Sequence, residues 1–241
     1  MKTWPVWVAA VLWATAAAQE PARVAAVFGE HVTRAEIEHP ADDEPPAVRL
    51  LGWIWQRIVP SYVAEHGLAA TAAEVAELEA YEREFRKKDR AQRARKLEEL
   101  NGRLASGSVP ADQRARVEEF RAILLRMAKN DLELDRAPPG PPGERNAFYA
   151  RVIERWKMDE SLHRRYGGVV SLTQSGHSPH GARAALIIEY EERGWIVFHD
   201  PALRQSAYER LLARPSMIVP PHQVDFTPNW RRPIPPSYFP D

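Results

Sequence analysis

Apolar residues recur at helical intervals along much of the chain, which predicts a mainly helical fold. The clearest case spans residues 47–66, where a wide apolar stripe lies on one side and Trp53 falls on the other. The stripe consists of Ala47, Leu50, Leu51, Ile54, Trp55, Ile58 and Tyr62. Gly67 is a typical helix end, and Pro60 inside the pattern predicts a kink or a break.

Two long helices follow and are predicted to form an antiparallel helical hairpin. Thr71 and Glu74 make a capping-box pattern that opens a highly charged helix reaching about Leu104. A turn at residues 106–110 leads to a second helix over about 111–135, and the short connection favours antiparallel packing. Its inward-facing residues are expected to be Val117, Phe120, Ile123, Leu124, Met127 and Leu134.

Three short segments have strand character, at residues 24–28, 169–173 and 195–198. Such short strands are not stable alone, so we expect a small sheet that joins the first segment to one of the two later ones. The remaining patterns predict helices over residues 144–166, 178–194 and 200–213. The predicted fold class is therefore mainly α, of the α+β kind.

Composition divides the chain into five parts. Residues 1–18 have one Lys, an apolar stretch and an Ala-rich end, so they are predicted to be a signal peptide cleaved after Ala18, which makes the product periplasmic or secreted. Residues 19–136 are expected to form a helical domain. Residues 137–143 are a stiff Pro/Gly break. A C-terminal α/β unit over 144–213 and a Pro-rich extended tail over 214–241 complete the chain.

Charge and cysteine content exclude several functions. The 33 basic and 33 acidic residues cancel, so no nucleic-acid partner is expected, and the basic run within residues 82–99 is interpreted as a solvated helix face. The chain has no cysteine, which excludes disulfides and thiol catalysis. After residue 18 no apolar run approaches the ~20 residues of a membrane span, so no stable span is expected after signal cleavage.

The region from Val24 to about Leu134 resembles the SurA-like N-terminal domain of periplasmic chaperones and their parvulin relatives. The resemblance rests on the first strand with its Thr33–Glu36 capped turn, the apolar helix closing at Gly67, the Thr71 capping box and the later helix. It implies a helical cradle that binds unfolded, outer-membrane-type client proteins. No parvulin isomerase domain is recognisable, and residues 156–212 are similar to a region of unassigned role in exported bacterial proteins.

The candidate client-binding residues are Trp53, Trp55, Ile58 and Tyr62, on the helix around Pro60. A second candidate site is a metal site formed by His177, His180 and His199. We expect no metal there, because Pro179 separates the first two histidines and no nearby carboxylate completes a closed set. No cofactor is expected.

The expected function is therefore that of an exported chaperone-like protein without a catalytic domain of its own. An enzyme is the first alternative, either a peptidyl-prolyl isomerase relative or a His-based metalloprotein. No nucleophile-elbow pattern surrounds Ser171, Ser175 or Ser178, so the sequence assigns no catalytic residues for hydrolysis. The second alternative is an assembly factor that docks through its charged helical hairpin.

Overall fold

The computed structural model describes residues 22–38, 43–136, 143–173, 176–234 and 236, so the signal peptide and nearly all of the Pro/Gly break lie outside the described residues. The helices are α1 (Arg34–Ile37), α2 (Pro46–Glu65), α3 (Ala72–Ala105), α4 (Ala111–Arg136), α5 (Glu144–Tyr166), α6 (His180–Glu192) and α7 (Pro201–Leu212). The strands are β1 (Arg23–Val27), β2 (Glu30–Thr33), β3 (Ser171–Thr173), β4 (Gly176–Ser178) and β5 (Ile196–Phe198). The predicted mainly α fold with a small sheet is confirmed.

A three-stranded antiparallel sheet connects distant parts of the chain. Its strand order is β2-β1-β5, and Ala26 in the central strand pairs with His31 on one side and Val197 on the other. The expected joining of the N-terminal strand to residues 195–198 is therefore confirmed. The other candidate segment, residues 169–173, contributes β3, which pairs with β4 in a separate hairpin.

The main core lies between this sheet and helices α2, α5, α6 and α7. The α2 stripe supplies Leu50, Ile54 and Ile58, all fully buried. Residues from beyond the Pro/Gly break complete the core, among them Met158, Leu162, Leu186, Ile187, Tyr190 and Ile196. Both halves of the chain thus share one core. Of the kink or break predicted at Pro60, the break does not occur, because α2 continues through this residue.

Helices α3 and α4 form the expected hairpin, which is held by ion pairs along its seam. Arg90 donates two hydrogen bonds of 2.8 and 3.0 Å to Asp135. The prediction that all six apolar residues of α4 face inward is wrong. Leu124 is buried, but the exposed fractions of Met127 and Leu134 are 41% and 70%. Because α4 packs mainly on α3, a single neighbouring helix leaves much of the stripe uncovered.

The described part of the Pro-rich tail, residues 214–234, lies against the surface as extended chain with two short 3-10 turns, Pro221–Gln223 and Asn229–Arg231. Its first part pairs with the segment around β3: the Leu172 N–H donates to the Met217 carbonyl at 3.0 Å. The following residues, 224–232, cross α5 and are called the strap below. The strap brings the tail beside the β3–β4 hairpin, where it helps to enclose the candidate site.

Candidate functional site

A cleft of about 670 Å³ opens between α5, the β3–β4 hairpin and the strap. Helical periodicity places one face of α5 along it. The residues of that face are Phe148, Arg151, Val152, Arg155, Trp156 and Asp159. The adjoining face, with Tyr149 and Ile153, is buried in a smaller core beside Leu78 of α3. The packing of α5 on α3 therefore orients the remaining face towards the cleft.

The strap forms the second wall and is fixed to two helices. The indole Nε1 of Trp156 donates to the Phe226 carbonyl at 2.6 Å, and the Trp156 ring meets the Trp230 ring edge-on at 5.7 Å between centroids. Arg231 donates to both carboxylate oxygens of Glu77 in α3, at 3.1 and 3.2 Å. These contacts hold two aromatic side chains of the tail at the edge of the cleft.

His177 joins the β4 strand to the strap. The Asp225 backbone N–H donates to its Nδ1 at 3.0 Å, so this ring nitrogen is the acceptor in the contact. The Asp225 carboxylate accepts from the Thr227 N–H and from Arg232, both at 2.7 Å. These donors, the Thr227 N–H foremost, lower the pKa of Asp225 below its ordinary value. His177 therefore acts here as a hydrogen-bond acceptor that positions the strap.

Positive charge exceeds negative charge in the cleft. Four arginines and two aspartates line it: Arg151, Arg155, Arg183, Arg232, Asp159 and Asp225. Each aspartate already has an arginine partner, since Arg183 donates two hydrogen bonds to Asp159 and Arg232 donates to Asp225. Among the described lining residues, Arg151 and Arg155 are therefore left without a hydrogen bond to a carboxylate, and Arg155 makes an ion pair of 3.7 Å with Asp159, which it shares with Arg183.

Arg155 is the more enclosed of these two. Its side chain is 38% exposed, and its Nε lies 3.7 Å from Asp159 Oδ1, beyond hydrogen-bond distance. Its guanidinium also lies over the Trp55 ring, 5.4 Å from the centroid. Partial burial and the nearby Arg183 lower the pKa of Arg155 from its usual range, although Asp159 opposes this effect. Arg155 therefore shares its neighbouring carboxylate, Asp159, with Arg183.

The candidate client-binding residues on α2 do not form one surface. Ile58 and Tyr62 are fully buried in the main core, where the Tyr62 hydroxyl lies 3.0 Å from Ser161 Oγ. They are therefore not accessible to a client in this conformation. Trp53 and Trp55 are half-buried, and the Arg57 guanidinium covers the Trp53 ring at 3.6 Å. Trp55 remains of interest because it contacts Arg155 of the cleft.

The three candidate metal ligands are used in different ways. His177 accepts the hydrogen bond from the strap, and His199 stacks on His31 at 5.7 Å between ring centroids. His180 is the first residue of α6, and its buried Nε2 has no hydrogen-bond partner among the described residues. The N-cap of α6 is Pro179, so the helix begins two residues later than the predicted start at residue 178. Within the described residues, no group of three or more His, Cys, Asp or Glu could hold a metal ion.

The charged hairpin has a shallow groove of its own, of about 460 Å³. It is lined by Arg83, Arg86, Lys87, Arg90 and Asp135. Arg90 is already bonded to Asp135, and the first three side chains lie on exposed positions. This groove has basic character, and none of the described residues that line it is aromatic, in contrast to the cleft beside α5.

Arg151 and Arg155 were not identified from the sequence as site residues, although a signal was present. They lie four residues apart, and Asp159 lies another four residues on, so one face of the predicted helix 144–166 carries all three charges. The pattern alone resembles that of any solvated helix. This face of the helix becomes a wall of a cleft only because the tail, some seventy residues later in the chain, packs beside it.

No protein family, curated protein or solved structure matches the chain. Among the described residues, no helix combines the length and the apolar character needed to cross a membrane.

Proposed function

We propose that this chain is an exported, chaperone-like protein that binds unfolded or apolar segments of client proteins in the cleft beside α5, without a catalytic domain of its own. The observation that carries the proposal is the exposure of apolar side chains on a concave surface. Phe148, Val152 and Leu172 line the cleft, and their exposed fractions are 55%, 36% and 45%. Exposed apolar side chains that are grouped in this way are more typical of a binding surface than of the remaining surface of a protein.

The size and composition of the cleft suit an extended peptide segment. Its volume falls within the range of roughly 300–1,000 Å³ that is typical of ligand sites. Phe148, Trp156 and Phe226 supply aromatic surface, and arginine side chains supply donors for backbone carbonyls of a client. A site of this kind holds short apolar stretches without requiring one sequence. Periplasmic or secreted localisation belongs to the same proposal and rests on residues 1–18.

An aggregation assay tests the proposal. The purified mature chain is expected to suppress light scattering by an unfolded outer-membrane-type protein that is diluted from denaturant. Phe148→Ala should weaken the suppression, because it removes aromatic surface from the cleft. Leu212→Ala is the matched control, since Leu212 is 62% exposed but lies at the end of α7, outside the cleft. Equal suppression by both variants would place client binding elsewhere, and no suppression by the wild type would contradict the proposal.

The same protein preparation separates binding from catalysis. Uncatalysed prolyl isomerisation has time constants of ~10–100 s at 25 °C, so even weak acceleration is measurable. We expect the rate to stay at the uncatalysed value. Reproducible acceleration would instead favour the alternative of a peptidyl-prolyl isomerase-related enzyme.

The assembly-factor alternative has one supporting observation, the uncovered apolar stripe of α4. Leu134→Ala in the aggregation assay tests whether that stripe participates. Under the cleft proposal this variant keeps full activity, because Leu134 lies on the hairpin and does not line the cleft.

A further inference from the structure

The charges in the cleft indicate which client segments it prefers. The two aspartates that line it are each bonded to an arginine, Asp159 to Arg183 and Asp225 to Arg232. Arg151 and Arg155 have no hydrogen bond to another part of the described chain, and Arg155 shares the Asp159 carboxylate with Arg183 through an ion pair of 3.7 Å, so the cleft keeps an excess of positive charge. A ligand that brings negative charge is therefore favoured over a neutral or basic one.

Arg155 is held in place although its guanidinium donates no hydrogen bond to any of the described residues. The Trp55 ring packs against its guanidinium, and Asp159 lies 3.7 Å away with both oxygens already accepting from Arg183. An ordinary surface arginine on the same helix differs: Arg164 has a side chain that is 76% exposed and is paired with Glu160. A guanidinium that is already positioned loses less conformational freedom when it binds a partner.

The partner that fits this arrangement is a carboxylate. A guanidinium presents parallel N–H donors whose spacing matches the two oxygens of a carboxylate. Phe148 and Leu172 offer exposed apolar surface in the same cleft, so an aromatic or apolar residue next to that carboxylate would also find a contact. Charge and apolar surface therefore select for the same kind of peptide.

Resting on the proposed function, we infer that the cleft selects peptide segments that carry a carboxylate beside aromatic residues, and that Arg155, assisted by Arg151, binds this carboxylate. The carboxylate belongs to an acidic side chain or to the C-terminus of the client. Both sources present the same two oxygens, and the experiment distinguishes them.

Isothermal titration calorimetry with four N-acetylated peptides tests this inference. The neutral peptide is Ser-Phe-Gln-Phe-Ser with a C-terminal amide. The second has Glu in place of Gln, the third keeps Gln but has a free C-terminal carboxylate, and the fourth has Lys in place of Gln. We expect at least one carboxylate peptide to bind about tenfold more tightly than the neutral one, as for hydrogen bonds to charged groups. The Lys peptide should bind most weakly, and the tighter carboxylate peptide identifies the source.

Variants then assign the selectivity to Arg155. Arg155→Met should bring the acidic and neutral peptides within about twofold of each other, and Arg155→Lys should retain part of the difference. Arg164→Met is the matched control and should leave the selectivity unchanged. Far-ultraviolet circular dichroism checks that each variant is folded. The comparison of peptides on the wild type tests the preference even if Arg155→Met does not fold.

The outcomes separate this inference from the proposed function. Equal affinity of the wild type for the acidic and neutral peptides would overturn the carboxylate preference while leaving peptide binding intact. Absence of binding by all four peptides would overturn both. Displacement of the acidic peptide by inorganic phosphate but not by acetate at equal concentration would also overturn the carboxylate assignment, since it would indicate a phosphate site.

Discussion

Replacing Val197 with proline tests whether the two halves of the chain unfold as one unit. The Phe28 N–H donates to the Trp195 carbonyl at 2.8 Å, and the register pairs Ala26 with Val197. Hydrogen-bonded pairs alternate along an antiparallel ladder, so the Val197 N–H is directed at the Ala26 carbonyl. Proline has no N–H and would leave that carbonyl without its partner.

The expected cost follows from the burial of the two residues. Ala26 is 5% exposed, and a buried acceptor left unpaired costs about 1–3 kcal/mol. Val197→Ala is the control, because it keeps the N–H and removes a side chain that is already 41% exposed; its cost should be at most ~1 kcal/mol. The proline variant should therefore be less stable than the alanine variant by about 1–3 kcal/mol.

Hydrogen exchange measured by mass spectrometry shows which helices lose amide protection in the proline variant. β5 lies beyond the Pro/Gly break, whereas α2 lies before it, but both contribute to the main core. We therefore expect the slowest-exchanging amides of α2 and of α5 to lose protection by the same free energy in Val197→Pro. Unchanged protection in α2 together with a loss in α5 would refute the reasoning, since the halves would then unfold separately.

Two further predictions concern local packing and capping. Gly181→Ala should destabilise the protein by about 1–3 kcal/mol, because the added Cβ would lie 2.9 Å from the Val169 backbone N. Gly102→Ala should instead stabilise the protein by up to ~1 kcal/mol, because its added Cβ would have nothing within 4 Å. Thermal melts of the two variants measure both effects. Glu74 is partly buried, which raises its pKa, but hydrogen bonds from Lys157 and Thr71 outweigh this and lower the pKa below its ordinary value. The stability that Glu74 contributes is therefore present above its unfolded pKa of about 4.3 and is lost as pH falls through the lower folded value. Glu74→Gln should cost ~1 kcal/mol in urea melts at pH 7 and less at pH 3, and an equal cost at both would contradict the assignment.

Local signals in the sequence predicted the helix boundaries well. The capping boxes at Thr33 and Thr71 are both present, and α5 spans Glu144–Tyr166, which are the predicted bounds. These features depend on neighbouring residues only, so a single sequence contains the information. By contrast, β4 has no apolar residue in Gly176–Ser178, and it is a strand only because β3 pairs with it.

The burial of an apolar helix face was harder to predict, because it depends on which other elements pack against that face. The stripe on α2 meets a sheet and three helices, and its residues Leu50, Ile54, Ile58 and Tyr62 are fully buried. The stripe on α4 has the same helical spacing but meets mainly α3, so Met127 and Leu134 stay exposed. For the same reason Ile58 and Tyr62 could be recognised as members of an apolar stripe, whereas their enclosure in the core could not.

The cleft exists because a segment without periodicity acquires fixed contacts. Pro228 lies within the strap and Pro233 directly follows it; both disfavour a long helix or a central strand there, and they reduce the conformational freedom lost on ordering. Side chains elsewhere in the fold then bind its backbone polar groups: Trp156 donates to the Phe226 carbonyl and His177 accepts from the Asp225 N–H. The strap that closes the cleft is therefore held by α5 and β4, the same elements that form the other walls. A ligand that contacts both α5 and the strap binds best when the strap is docked, and it must stabilise that docking by mass action.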